Sequence, residues 1–377
     1  MIRMKYNRNI QWLAFLLFVI CFSCMPVKYD YPQIDGYDLD VCENGKGLDQ
    51  VSASFIPLEN TIDGILDSPK KIVKVDTSFI VSDIDRVVMY SEDGKVVRPI
   101  GCKGHGFGEY INVSTFYVDE KQNIILCDSY KNSLMKFDKR GKFVEERKLN
   151  NVSLQYVQNI CPISEDLIFI YDYLFNDNTN ICRIVDLRKD TEEVVFTNYL
   201  KTADVMMPVG YAPCGMIGGK LVYLRPFDDK IHNIDGSVDF SINTSMRKYT
   251  ENEIKDISDF GIGSYAKCLE DNVFMGFTDI FETEKYIMLA CKNINYILID
   301  KESQVCRQYD YGFSPQNEGC PLYNIRGSHG NQLYGFLSST DAMALSQNQD
   351  IHCESCPQSL TTSCDNFLVI YDFDENN

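Results

Sequence analysis

The sequence predicts an all-β fold: a six-bladed β-propeller of four-stranded antiparallel blades, closed by an N-terminal strand in the last blade. Three observations lead there. First, one stretch is restated. Phe79-Ile-Val-Ser-Asp83, Val87-Val-Met-Tyr90 and Gly94-Lys-Val-Val97 return as Asn123-Ile-Ile-Leu-Cys-Asp128, Leu134-Met-Lys-Phe137 and Gly141-Lys-Phe-Val144. The offset is 45 residues at the aspartate and 47 at the glycine. A period in that range, with three or four short strands per unit, marks a propeller blade. Second, the 377 residues include 23 Tyr and 22 Phe, the bulky strand formers that fill space between stacked sheets. Third, the last blade is one strand short while a strand-like run near the start, Val51–Leu58, has no hairpin partner of its own.

Taken in order, the chain opens on a targeting segment, residues 1–23. Arg3, Lys5 and Arg8 precede an apolar run from Trp12 to Phe22, too short to span a bilayer. The run ends in Ser23-Cys24. A small residue before a cysteine resembles the bacterial lipobox, with Cys21 where leucine is usual, and implies a lipidated Cys24 as mature N-terminus. Residues 24–50 hold Pro26, Pro32, Gly36, Gly45 and Gly47 with little periodicity, and are expected to form a flexible tether.

The propeller is expected over 51–373, with 374–377 as a tail. Blade one takes Lys71–Asp76, Ser78–Ser82, Arg86–Ser91 and Lys95–Ile100. Blade two takes Val113–Asp119, Asn123–Cys127, Leu134–Asp138 and Lys142–Leu149. Later blades are more degenerate. Blade three shows Leu167–Asp172 and Ile181–Asp186; blade four shows Lys220–Arg225 and Lys230–Asp235. Thr250-Glu-Asn-Glu253 is a capping box opening a short helix before blade five. Blade five has Lys285–Cys291, Tyr296–Asp300 and Gln304–Tyr309. Blade six has Leu322–Arg326, Gln332–Leu337 and Phe367–Phe373, with a polar insertion between the last two. Val51–Leu58 beside Phe367–Phe373 would complete the ring and remove two open edges.

With Phe22-Ser-Cys24, Phe55-Ile-Pro-Leu58, Gly104-His-Gly-Phe-Gly-Glu-Tyr110 and Leu368-Val-Ile-Tyr371 in view, the chain resembles the six-bladed propeller lipoproteins of Bacteroidetes, relatives of NHL-repeat and TolB-like propellers. That family usually writes the loop G-x-G-P-G-E-Y; Phe107 stands in place of the proline. The resemblance implies fold and an outer-membrane lipoprotein on either the periplasmic or the cell-surface side. It implies no single activity.

A net charge of −18 repels phosphate backbones, so nucleic acid is not an expected partner. The expected partners are the membrane, through the lipid, and a glycan, peptide or envelope protein. The fifteen cysteines do not read as a disulfide framework, because Cys127, Cys182 and Cys291 sit where a strand wants a small buried hydrophobe. His352-Cys353-x-x-Cys356…Cys364 is a weak zinc pattern, lacking a second spaced pair. Neither G-x-S-x-G nor H-E-x-x-H occurs, so no catalytic residue, metal ligand or cofactor is assigned. The rival to a binding module is a funnel hydrolase or lyase, calcium-dependent and acting on a lactone or glycan.

Up-and-down blades place the links after second and fourth strands on one face. That loop face is the expected ligand face, and its candidates are Asp83, Lys103, Asp128, Lys131, Asp172, Arg225 and Asp228. Each aspartate has an alternative role capping its own loop. The Gly104–Gly108 loop fails as a dinucleotide site because no helix follows it, and is read as a structural turn with Glu109-Tyr110 packing the link onto blade two.

Overall fold

The computed structural model describes residues 37–38, 43–44, 52–61, 64, 66–173, 180–197, 210–258, 263–291, 295–309, 322–347 and 366–373. Cys24, the targeting segment, Cys353, Cys356, Cys364 and the tail 374–377 lie outside them. So does most of the expected tether. Three strands come before the first blade: β1 (Tyr37–Asp38), β2 (Glu43–Asn44) and β3 (Ser52–Leu58).

Blade one is β4 (Lys71–Val75), β5 (Ser78–Ser82), β6 (Val87–Ser91) and β7 (Val96–Pro99). Blade two is β8 (Val113–Val118), β9 (Ile124–Asp128), β10 (Ser133–Phe137) and β11 (Phe143–Lys148). Both match the strands expected from the repeat. Their C–D turns close through Gly94 and Gly141, at φ +80° and +76°, a backbone that a Cβ resists. Blade three is β12 (Val157–Pro162), β13 (Leu167–Asp172), β14 (Asn180–Asp186) and β15 (Thr191–Thr197). Blade four is β16 (Cys214–Ile217), β17 (Lys220–Leu224), β18 (Lys230–Asn233) and β19 (Val238–Asn243). Helices α1 (Glu251–Ser258) and α2 (Ser264–Glu270) follow. The capping box forms: Thr250 N–H donates to Glu253 Oε2 at 2.7 Å and Glu253 N–H donates to Thr250 Oγ1 at 3.3 Å.

Blade five is β20 (Asp279–Glu282), β21 (Tyr286–Cys291), β22 (Asn295–Asp300) and β23 (Cys306–Tyr309). Blade six is β24 (Ile325–His329), β25 (Gln332–Ser338) and, after α3 (Ser339–Gln347), β26 (Asn366–Asp372). Its fourth strand is β3, antiparallel to β26 from Leu58↔Asn366 to Ser52↔Asp372. The N-terminal strand therefore closes the ring. At that seam Gly327 is obligatory, because a Cβ there would lie 2.0 Å from Ile72 O on blade one.

Two strands depart from expectation. Tyr37–Asp38 pairs parallel with β19 and Glu43–Asn44 parallel with β23, giving blades four and five a short fifth strand. The segment read as a tether thus supplies sheet edges. The core lies in separate clusters between neighbouring blades, where Phe79, Tyr90, Phe116, Phe137, Phe169, Tyr223, Tyr334 and Tyr371 are fully buried, the large-area burial that holds stacked sheets together. Cys127, Cys182 and Cys291 are buried, as expected of small hydrophobes in strands.

Candidate functional site

The three aspartates end second strands on the loop face, but their carboxylates turn inward. Asp83 accepts the N–H groups of Asp67 and Ser68, both at 2.8 Å. Asp128, fully buried, accepts those of Ile111 at 2.6 Å and of Tyr130 and Lys131 at 3.0 Å. Each clamps the link that leads into its own blade. Asp172 instead takes a guanidinium fork, Arg183 Nε to Oδ2 at 2.6 Å and Nη2 to Oδ1 at 2.9 Å. Burial pushes the Asp172 carboxyl up to about 6 against the pull of Arg183. The same guanidinium pairs with Glu192 and donates to Ser153 O at 3.0 Å, so Arg183 reaches the link where blades one and two use the carboxylate itself.

The lysines are also engaged. Lys131 Nζ donates to Glu109 O at 2.7 Å and Gly106 O at 3.1 Å, and pairs with Glu146 at 3.2 Å. It anchors the glycine-rich loop. In that loop Glu109 folds back so that a Cβ on Gly104 would strike its carboxylate at 2.0 Å. Of the loop's three glycines Gly108 has positive φ, +78°, so the left-handed turn is made there and not at Gly104 or Gly106. Lys103 pairs with Asp85 and holds that carboxyl below its usual range. These five residues do not converge on one pocket.

Arg225 and Asp228 belong to a cluster at the seam of blades three and four. The Arg225 guanidinium lies 4.2 Å from the Phe196 ring centroid and donates to Tyr223 Oη at 2.5 Å. Among the described residues its buried Nε has no hydrogen-bond partner. His232 stacks on Tyr223, with 5.6 Å between centroids, and its Nε2 sits 2.8 Å from Asp228 Oδ2. Burial opposes ionisation of Asp228, yet the contacts with His232 and Lys230 hold its carboxyl below the usual range.

Contacts between non-adjacent blades can run only through the axial channel, and two of them show what lines its loop-face mouth. Lys71, opening β4 of blade one, sends Nζ to Asn159 Oδ1 of blade three at 2.9 Å. Arg326 of blade six stacks on Tyr211, just before blade four, with 4.4 Å to the ring centroid, while its Nε donates to Pro69 O at 2.8 Å. Among the described residues neither cation has a carboxylate within salt-bridge distance. Burial pushes the Lys71 and Lys70 ammonium pKa values down. In a chain of net charge −18, where Lys103, Lys131 and Arg183 are all neutralised by carboxylates, this leaves a cationic, aromatic-walled mouth. No local sequence signal pointed to Lys71, since its partner lies 88 residues away.

A cleft of about 310 Å³ opens on the opposite face, between blades two and three, floored by Tyr117, Ile125, Leu134 and Leu187. Its cations are paired at the rim, Lys121 with Glu165 at 2.8 Å and Lys136 with Asp119 at 3.6 Å. Lys71 and Arg326 at the axial mouth differ from these cations in having no carboxylate partner among the described residues.

Comparison with known proteins agrees with the architecture. A protein from Bacteroides fragilis NCTC 9343 named as exported superposes with a TM-score of 0.72 at 15% identity, over 89% of this chain and 98% of that one. A member of the DUF4221 family from Bacteroides vulgatus superposes with a TM-score of 0.51 at 12% identity, over 86% and 98%. No curated protein matches the sequence. The family described as "Domain of unknown function (DUF4934)" matches residues 51–368.

Proposed function

The chain belongs to the DUF4934 family, and from that premise we propose that it is an exported propeller, lipidated at Cys24 and held at the outer membrane. Its loop-face axial mouth binds a carboxylate-bearing ligand of the cell envelope without transforming it. The observation that carries the binding reading is Lys71. This ammonium is half-buried, hydrogen-bonded to Asn159, and has no carboxylate partner among the described residues. A desolvated cation without a counter-ion is costly, and an incoming carboxylate offsets that cost. Arg326 supplies a second donor and Tyr211 a flat wall. Export is supported by the basic and apolar leader, and by the exported Bacteroides fragilis protein that shares the fold.

The test is calorimetric. The fragment from Met25 to Asn377 is titrated with oligogalacturonate and with a neutral oligosaccharide of equal length. The expected result is acid-selective binding that weakens with salt, and that Lys71→Met reduces at least about tenfold. Equal affinity for the neutral oligosaccharide, or an unchanged Lys71→Met affinity, overturns the assignment. Release of Cys24→Ala from the membrane fraction tests the anchor separately.

A further inference from the structure

Beneath the axial mouth two thiols face each other across the seam of blades three and four. Cys161 lies on β12 and Cys214 opens β16, both inner strands, and their Sγ atoms are 3.4 Å apart. Both cysteines are free. A disulfide needs about 2.05 Å between sulfurs, and the two inner strands that carry these thiols already pack together. The surroundings single this pair out. Cys182 shares the same apolar cluster, yet is completely buried and has no thiol neighbour at bonding range among the described residues. Cys127 and Cys291 sit in other blades.

The two thiols are unequal. Both are buried, Cys161 at 9% and Cys214 at 2% exposure, so Cys161 is the less enclosed of the two. The hydrogen bond with Cys214, helped by the nearby Lys71 ammonium, outweighs burial and holds the Cys161 thiol below its usual pKa, while burial drives that of Cys214 well up. The lesser burial and the lowered pKa mark Cys161 as the attacking thiol and its more enclosed neighbour as the resolving one.

We propose that Cys161 and Cys214 form a reactive dithiol at the floor of the axial channel, and that a small organic disulfide converts them into a covalent staple between blades three and four. Cys161 thiolate attacks one sulfur of the incoming disulfide, forms a mixed disulfide and expels one thiolate. Cys214, deprotonated as it attacks, then displaces the second thiolate from Cys161. The two cysteines together lose two protons and two electrons, and the organic disulfide is reduced to two thiols. The staple is reversed by the same exchange with a dithiol reductant. The site is distinct from the ligand site proposed above, although Lys71 borders both.

The test treats the full chain with oxidised glutathione, alkylates the remaining thiols, and maps peptides without reduction. The expected product links the peptides containing Cys161 and Cys214, with Cys182 still alkylatable. Cys214→Ser is expected to trap a glutathionyl adduct on Cys161, whereas Cys161→Ser leaves Cys214 free. Lys71→Met is expected to slow adduct formation at Cys161 about tenfold, with exposed Cys102 as the internal reference for reagent activity. The proposal is overturned if Cys102 is modified while Cys161 and Cys214 both stay reduced. An adduct that accumulates on Cys214 in the Cys161→Ser chain reverses the roles and equally overturns it. Thermal unfolding of each variant separates a loss of reactivity from a loss of fold.

Discussion

Asp128 and Asp172 occupy the same place in successive blades, the last residue of the second strand, yet they do different work. Asp128 accepts three backbone N–H groups directly. Asp172 accepts a guanidinium fork, and Arg183 extends the reach to Ser153 O. The end is the same: the link entering the blade is tied to the blade's second strand. The means differ because blade three has spent its carboxylate on a buried cation. Repetition in the chain fixes where an acid stands and leaves its partner to the neighbouring residues.

The comparison breaks most severely at the ion pair. Asp172→Ala removes the buried carboxylate from Arg183, whose side chain is 7% exposed and keeps only the more exposed Glu192 as a counter-charge, and is expected to destabilise the propeller by about 3 kcal/mol in chemical denaturation. Replacing both residues with apolar ones of similar volume is expected to recover most of that loss; a double variant no better than the single would remove the case for a stranded charge. The pH response carries a sign. Because burial raises the folded-state Asp172 carboxyl to about 6, the folded chain holds this proton more tightly than the unfolded one. Its contribution to stability is therefore lost as pH rises from about 4 through about 6, and Asp172→Asn should flatten that stretch of the curve.

Asp128→Ala comes next. It orphans three donors at a fully buried position, with an expected cost of about 2–3 kcal/mol, read as a lower denaturation midpoint with unchanged slope. Asp83 makes two such bonds and is slightly more exposed, so Asp83→Ala should cost about 1–2 kcal/mol. A reversal of these two would mean that the clamps differ in strain rather than in bond count.

Blades one and two were legible because their apolar runs alternate with Asp-Gly and Arg-Gly turns. β12, β15, β16, β19 and β20 were missed for physical reasons. β15 (Thr-Glu-Glu-Val-Val-Phe-Thr) is mostly exposed and shows no buried face. β16 has four residues, too few for a period. β1 and β2 pair through two residues each, so backbone hydrogen bonds make them and side-chain pattern cannot announce them. At the candidate site, Lys131 read as a spare cation because its partners Gly106, Glu109 and Glu146 are gathered by the fold. Lys71 reads as an ordinary strand residue, since what distinguishes it lies across the axis.

The strands β1, β2 and β3 lie on blades four, five and six in turn, so the chain girdles half the rim before the first blade begins. Under the proposed anchorage at Cys24, thirteen residues separate the lipid from Tyr37, a reach of at most about 45 Å when extended. A pull from the membrane would then load β1 before β2, and β2 before β3. Two parallel pairings of two residues each would part ahead of the seven-residue antiparallel seam that keeps the disc closed.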